Sequence, residues 1–220
     1  MDLRNALWAI SIFCGLSYFA TNVWDIPGHT VVKGLSVSTM AVIAWLSVPV
    51  GRNRLLLTAA LAFSSLGDIL LDISSQMFVF GLGSFLLAHL CYIPLFLLQR
   101  KEGESLGAPR IVMLVVLVAF SDAVSIWMLP SLGAMAVPVM AYVTVLTGMA
   151  VSSLFWKAST NWIIIGAILF LISDTVLGVN KFVQPIPYRG WIVWSTYYAA
   201  QFLITKGTLK EFPQPVKIAA

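Results

Sequence analysis

The chain has 220 residues, of which 60% are hydrophobic and 10% charged, with a formal net charge of +4 and a mean hydropathy of +0.93. An ordinary soluble domain carries about 25% charged residues, so the composition excludes one and leaves no length for a separate soluble domain. The basic residues sit at the ends of apolar runs, which reads as membrane topology and not as nucleic-acid binding.

Eight apolar runs predict eight transmembrane helices in one all-α domain, at roughly 6–23, 30–50, 54–74, 78–98, 110–129, 132–154, 161–180 and 188–206. A short polar tail, 207–220, follows. The first run has one preceding arginine, Arg4, and no small-residue cleavage signal after it, so it reads as a retained helix. With eight spans, Arg4, Arg52, Arg54, Arg100, Lys101, Arg110, Lys157, Lys206, Lys210 and Lys217 share one side. Lys33, Lys181 and Arg189 lie on the other. The basic excess marks the first side, with both termini, as cytoplasmic.

The third run contains Phe63-Ser64-Ser65-Leu66-Gly67-Asp68-Ile69-Leu70-Leu71, a carboxylate within an apolar stretch. The seventh repeats the pattern as Phe170-Leu171-Ile172-Ser173-Asp174-Thr175-Val176-Leu177. Counted from the cytoplasmic ends, both acids fall about 20 Å along their helices at 1.5 Å per residue. Equal depth and direction suggest a parallel duplication of four helices plus four. A carboxylate inside a membrane costs several kcal/mol, which makes Asp68 and Asp174 candidates for function. Their alternative is structural, as polar glue between helices. Ser64, Ser65 and Ser173 are near enough in sequence to orient the acids. Asp72 lies one turn beyond Asp68, and Asp122 in the fifth run reads as a third buried acid whose flanking serines, Ser121 and Ser125, could satisfy it.

In the fourth run, Phe85, His89 and Tyr92 share one helical face about mid-membrane. The eighth offers Trp194, Tyr197, Tyr198 and Gln201, with Tyr197 and Gln201 on one face. Cys14 and Cys91 fall in apolar runs and read as buried thiols. His29 and His89 are too few for a histidine-rich metal site, and scattered acids do not complete a zinc set, so no metal or other cofactor is expected. No nucleophile elbow, Walker A sequence or dinucleotide fingerprint occurs. What remains is acid–base chemistry by two carboxyls in an apolar pocket, one of which can keep its proton at neutral pH.

Taken together, Phe63-Ser64 with Gly67-Asp68, the run Gly81 to Tyr92 with Phe85 and His89, Ser173-Asp174 with Leu177, Asn180-Lys181-Phe182 and Thr196-Tyr197-Tyr198-Ala199-Ala200-Gln201 resemble the YhhN/TMEM86 family. Lys33 looks like that family's lysine near the start of helix 2, although this chain has Gly34 where the family often has proline. Tyr142 looks like its helix 6 tyrosine. The resemblance implies an eight-span lysoplasmalogenase. Its substrate would be an alkenyl lysophospholipid, cleaved at the vinyl ether to a fatty aldehyde and glycerophosphoethanolamine or glycerophosphocholine. Asp68 and Asp174 would then act as general acid and base in an order the residues leave open. Ser64, His89, Tyr92, Tyr142, Ser173, Tyr197 and Gln201 would orient water or headgroup. Lys33 and Lys181, at the outer helix ends, would meet the phosphate or else simply snorkel. The alternative is a proton-coupled transporter of a small solute or lipid that uses the same Asp pair. Pro94 and Pro138 do not sit at corresponding positions of the two halves, which disfavours it. The short termini suggest a bacterial inner membrane.

Overall fold

A computed structural model describes residues 3–24, 27–100, 103, 105–156 and 158–212. Among these residues all regular structure is helical. Eight long helices run α1 Leu3–Tyr18, α2 His29–Ser47, α3 Arg52–Ile73, α4 Phe78–Leu97, α5 Ala108–Met128, α6 Ala136–Ser153, α7 Trp162–Phe182 and α8 Arg189–Glu211. The sequence reading of Asp25, Ile26, Lys101, Glu102, Glu104, Lys157 and residues 213–220 falls outside the described residues.

The ends follow local chemistry. Pro109 sits in the first turn of α5, where its missing N–H is harmless. Between α5 and α6, Pro130 and a left-handed Gly133 (φ 51°) break the chain into two 3₁₀ turns. This delays α6 to Ala136, four residues after the predicted start. At the other extreme α8 continues to Glu211, because nothing before Pro213 interrupts it.

Seven helices, counted among the described residues, are long and apolar enough to cross a membrane. The exception is α8. It turns Tyr197, Gln201, Thr205 and Thr208 into the bundle, and these buried polar residues, with Arg189, Lys206, Lys210 and Glu211 near its ends, lower its hydropathy.

Consecutive helices pack side by side from α1 to α4, α4 then meets α6, α6 meets α7 and α7 lies along α8. Contact between α8 and α2 closes the ring, and α5 packs peripherally on α6. The core is built from stripes at helical spacing: Leu57, Leu61 and Ser64 on α3; Phe85, His89, Tyr92 and Phe96 on α4; Ile163, Ala167 and Phe170 on α7. Glycines permit close approaches within it. A Cβ on Gly166 would lie 2.9 Å from the Ala200 carbonyl oxygen, and one on Gly67 would lie 2.6 Å from the Phe85 ring.

The two ends of the bundle differ. At one end, cations lie on rings or on carbonyls that end a helix. Arg54 sits over Trp45, Lys206 over Trp8 and Lys210 over Trp162, while Arg110 donates to the Leu154 carbonyl at 2.7 Å. At the other end the helices part around a polar cavity.

Candidate active site

That cavity has a volume of about 320 Å³ and is lined by both Asp68 and Asp174. Asp68 lies about 24 Å along α3 and Asp174 about 18 Å along α7 at 1.5 Å per residue. Their depths differ by about one turn, yet both carboxyls reach the same space. Ser173, Trp194 and Tyr197 also line it.

Each carboxyl is held by a tyrosine on another helix. The Tyr197 hydroxyl of α8 donates to Asp68 Oδ2 at 2.6 Å. Behind it, Gln201 Nε2 donates to the Tyr197 oxygen at 3.4 Å, and the Tyr92 hydroxyl of α4 donates to Gln201 Oε1 at 2.6 Å. Asp68 is 2% exposed and Gln201 fully buried, so the part of this file behind Tyr197 is closed to bulk water. In such surroundings an unmet polar group costs about 1–3 kcal/mol, and the file meets each one.

The second carboxyl repeats the plan. The Tyr142 hydroxyl of α6 donates to Asp174 Oδ2. His89 Nε2 lies 3.0 Å from the Tyr142 oxygen and 3.7 Å from the same carboxylate oxygen. Because Tyr142 gives its one proton to Asp174, His89 donates from Nε2. Its Nδ1 is buried without a partner. Phe85 and Phe170 stand between the two files, with ring centroids 6.1 Å apart, and Phe170 packs edge-on against both Tyr197 and His89.

The serines do not orient the acids through hydrogen bonds, contrary to expectation. Ser65 Oγ donates to the Gly34 carbonyl and Ser173 Oγ to the Val193 carbonyl, while Ser64 Oγ is buried without a partner. A short hydroxyl on a helix meets a neighbouring backbone more readily than a carboxyl one turn away. Lys181 does not line the cavity. It is exposed and lies 5.1 Å from the Phe78 ring centroid. Asp122 is exposed on α5 and not buried. Depth along a helix had suggested burial, but depth does not say which face a residue takes.

The cavity mouth joins Lys33 and Asp72, both singled out in the sequence, to Tyr18, His29, Thr30 and Arg189, whose roles there the sequence reading missed. Asp72 receives the Tyr18 hydroxyl at 2.6 Å, His29 Nδ1 at 2.6 Å and the Thr30 hydroxyl at 2.7 Å, with Lys33 Nζ at 3.6 Å. These partners gather α1, α2 and α3 at one point. His29 and Lys33, four residues apart and so on one face of α2, were the available signal. Lys33 also lies 5.4 Å from the Tyr18 ring centroid. Arg189, at the start of α8, lines the same cavity. Two cations and a histidine, with Asp72 beside them, therefore line a chamber that also holds Asp68 and Asp174, which suits an anionic headgroup above an acid–base centre.

A model of the YhhN family matches residues 28–208. The chain is 34% identical over 217 residues to a protein of Mycobacterium tuberculosis named lysoplasmalogenase, covering 91% of this chain and 82% of that one. It is 33% identical over 211 residues to mouse lysoplasmalogenase TMEM86B, covering 95% and 88%, and 36% identical over 179 residues to the human protein of that name, covering 81% and 74%. No solved structure matches the chain.

Proposed function

The chain belongs to the YhhN family, and from that premise we propose that it is a lysoplasmalogenase, an ether hydrolase acting on alkenyl lysophospholipids within the membrane. The names of its relatives support the activity. The observation that carries the mechanism is that Asp68 and Asp174 line one cavity, each fixed by a tyrosine hydroxyl.

A vinyl ether is cleaved by adding a proton to the carbon beyond the ether, C2′. The neighbouring carbon, C1′, becomes an oxocarbenium ion with the glycerol oxygen. Water attacks C1′ and loses a proton, giving a hemiacetal. The C1′–O bond then breaks, the glycerol oxygen takes a proton, and the hemiacetal hydroxyl loses one to become the aldehyde. One carboxylic acid and one carboxylate suffice for these transfers. Tyr197 and Tyr142 fix the two carboxyls, and Gln201, Tyr92 and His89 fix the tyrosines. Lys33 and Arg189 meet the phosphate at the mouth. Asp72 holds Lys33 and His29 in place.

In this reading α8 is the eighth span and both termini are cytoplasmic, with the basic end of the bundle inside and the cavity opening toward the outer face. The close pairing of α3 with α4 and of α7 with α8 supports a four-plus-four duplication. A bacterial inner membrane suits this arrangement.

The test offers purified protein an alkenyl lysophospholipid beside its acyl counterpart. Free aldehyde from the alkenyl lipid, and no fatty acid from the acyl one, is expected. A folded preparation that releases no aldehyde contradicts the reading.

A further inference from the structure

A second cavity adjoins the first. It is narrow, about 50 Å³, and lies among α3, α4, α5, α6 and α7. Leu82, Val124, Val139, Val143 and Phe182 form its walls. Four residues line both cavities: Leu71, Phe85, Leu177 and Asp174. Asp68 lines only the polar one. Asp174 thus stands where polar space becomes apolar space. The slot's outer wall is α5, the least buried of the candidate spans, so its far end lies against the bilayer side of the bundle.

We propose that this slot takes the first methylenes of the alkenyl chain, so that Asp174 and not Asp68 faces the vinyl ether. The inference rests on the hydrolase reading above. A lysophospholipid is polar at one end and apolar at the other, and its vinyl ether is the junction. A headgroup under Lys33 and Arg189 and a chain between α5 and α6 put that junction at the shared residues. The slot is too small for a whole chain, and the remainder continues past α5 into lipid. Asp174 gives its proton to C2′, and Asp68, on the wet side, accepts the proton of the water that attacks C1′. On collapse the Asp68 proton passes to the glycerol oxygen and the hemiacetal proton to Asp174, which returns both acids to their starting states.

The experiment uses a saturated ether lysophospholipid carrying a diazirine near the start of its chain. It lacks the vinyl group and is not cleaved. Photolysis on the wild-type protein should label peptides holding Val124, Val139 or Val143, and unlabelled ether lipid should compete. Labelling confined to α1 or α8, or no competed labelling, overturns the slot. Val143→Trp and Val124→Trp fill it from opposite walls. Each should lower kcat/KM for a long-chain alkenyl substrate at least about tenfold relative to one cut to three carbons. An unchanged ratio in both variants overturns the proposal. Wild-type aldehyde release is scored separately. Its absence sinks the hydrolase reading, whereas labelling elsewhere with normal release sinks only the slot.

Discussion

The Asp68 and Asp174 halves of the cavity share a plan and differ in what stands behind it. Asp68 is backed by a file of three polar side chains, Tyr197, Gln201 and Tyr92, on two helices. Asp174 is backed by Tyr142 and His89, and His89 Nε2 is itself only 3.7 Å from the carboxylate. The first half faces only the polar chamber, and the second also borders an apolar slot. The difference teaches that two carboxyls in matching motifs need not do matching work. Their surroundings assign the tasks.

The largest effect should come from removing either acid. Asp174→Asn and Asp68→Asn should each lower aldehyde release by about 10²- to 10⁴-fold, the range for a general acid or base. Near-normal turnover in either variant would break the pairing. Next come the tyrosines. Tyr197→Phe removes the donor to Asp68 and strands buried Gln201, at a cost of about 1.5–3 kcal/mol for a bond to a charged group. By RT arithmetic that is roughly a 10- to 150-fold loss in kcat/KM. Tyr142→Phe should cost less, because His89 can close on Asp174, and His89→Ala added to it should restore the larger loss. Equal losses in the two single tyrosine variants would count against the unequal backing.

At the mouth, Asp72→Asn loosens Lys33 and His29. KM should rise about tenfold, or about 1.4 kcal/mol, with kcat little changed, since the chemistry lies deeper. A fall in kcat with KM unaltered would move Asp72 into the catalytic step. The smallest effect should be that of Lys181→Ala, within about twofold by the behaviour of exposed charges away from a site. Lys33→Ala in parallel should weaken substrate binding clearly.

Much of this was legible in residue order. Apolar runs anticipated the eight long helices, seven of which are long and apolar enough to cross a membrane. The helical stripes that contain Phe85, His89 and Tyr92, or Tyr197 and Gln201, were visible from spacing. What escaped depends on contacts between distant residues. His29 follows a Pro-Gly break and was weighed only as a metal ligand, because its partner Asp72 is 43 positions away. The serines beside the acids looked like their natural partners, but backbone carbonyls of neighbouring helices were nearer. Asp122 has the right depth and the wrong face. The slot beside Asp174 is formed by residues of five helices, so no single stretch of sequence marks it.

The division of labour between the two acids is open to one direct measurement. Alkenyl lysophospholipid is incubated in D₂O with Asp68→Asn and, separately, with Asp174→Asn, and deuterium at C2′ of the recovered lipid is read by mass spectrometry. With Asp68 gone, Asp174 still delivers and retrieves a proton at carbon, so deuterium should accumulate at C2′ while aldehyde stays low. With Asp174 gone, no deuterium should enter. Exchange in the Asp174 variant, and none in the Asp68 variant, would contradict the account.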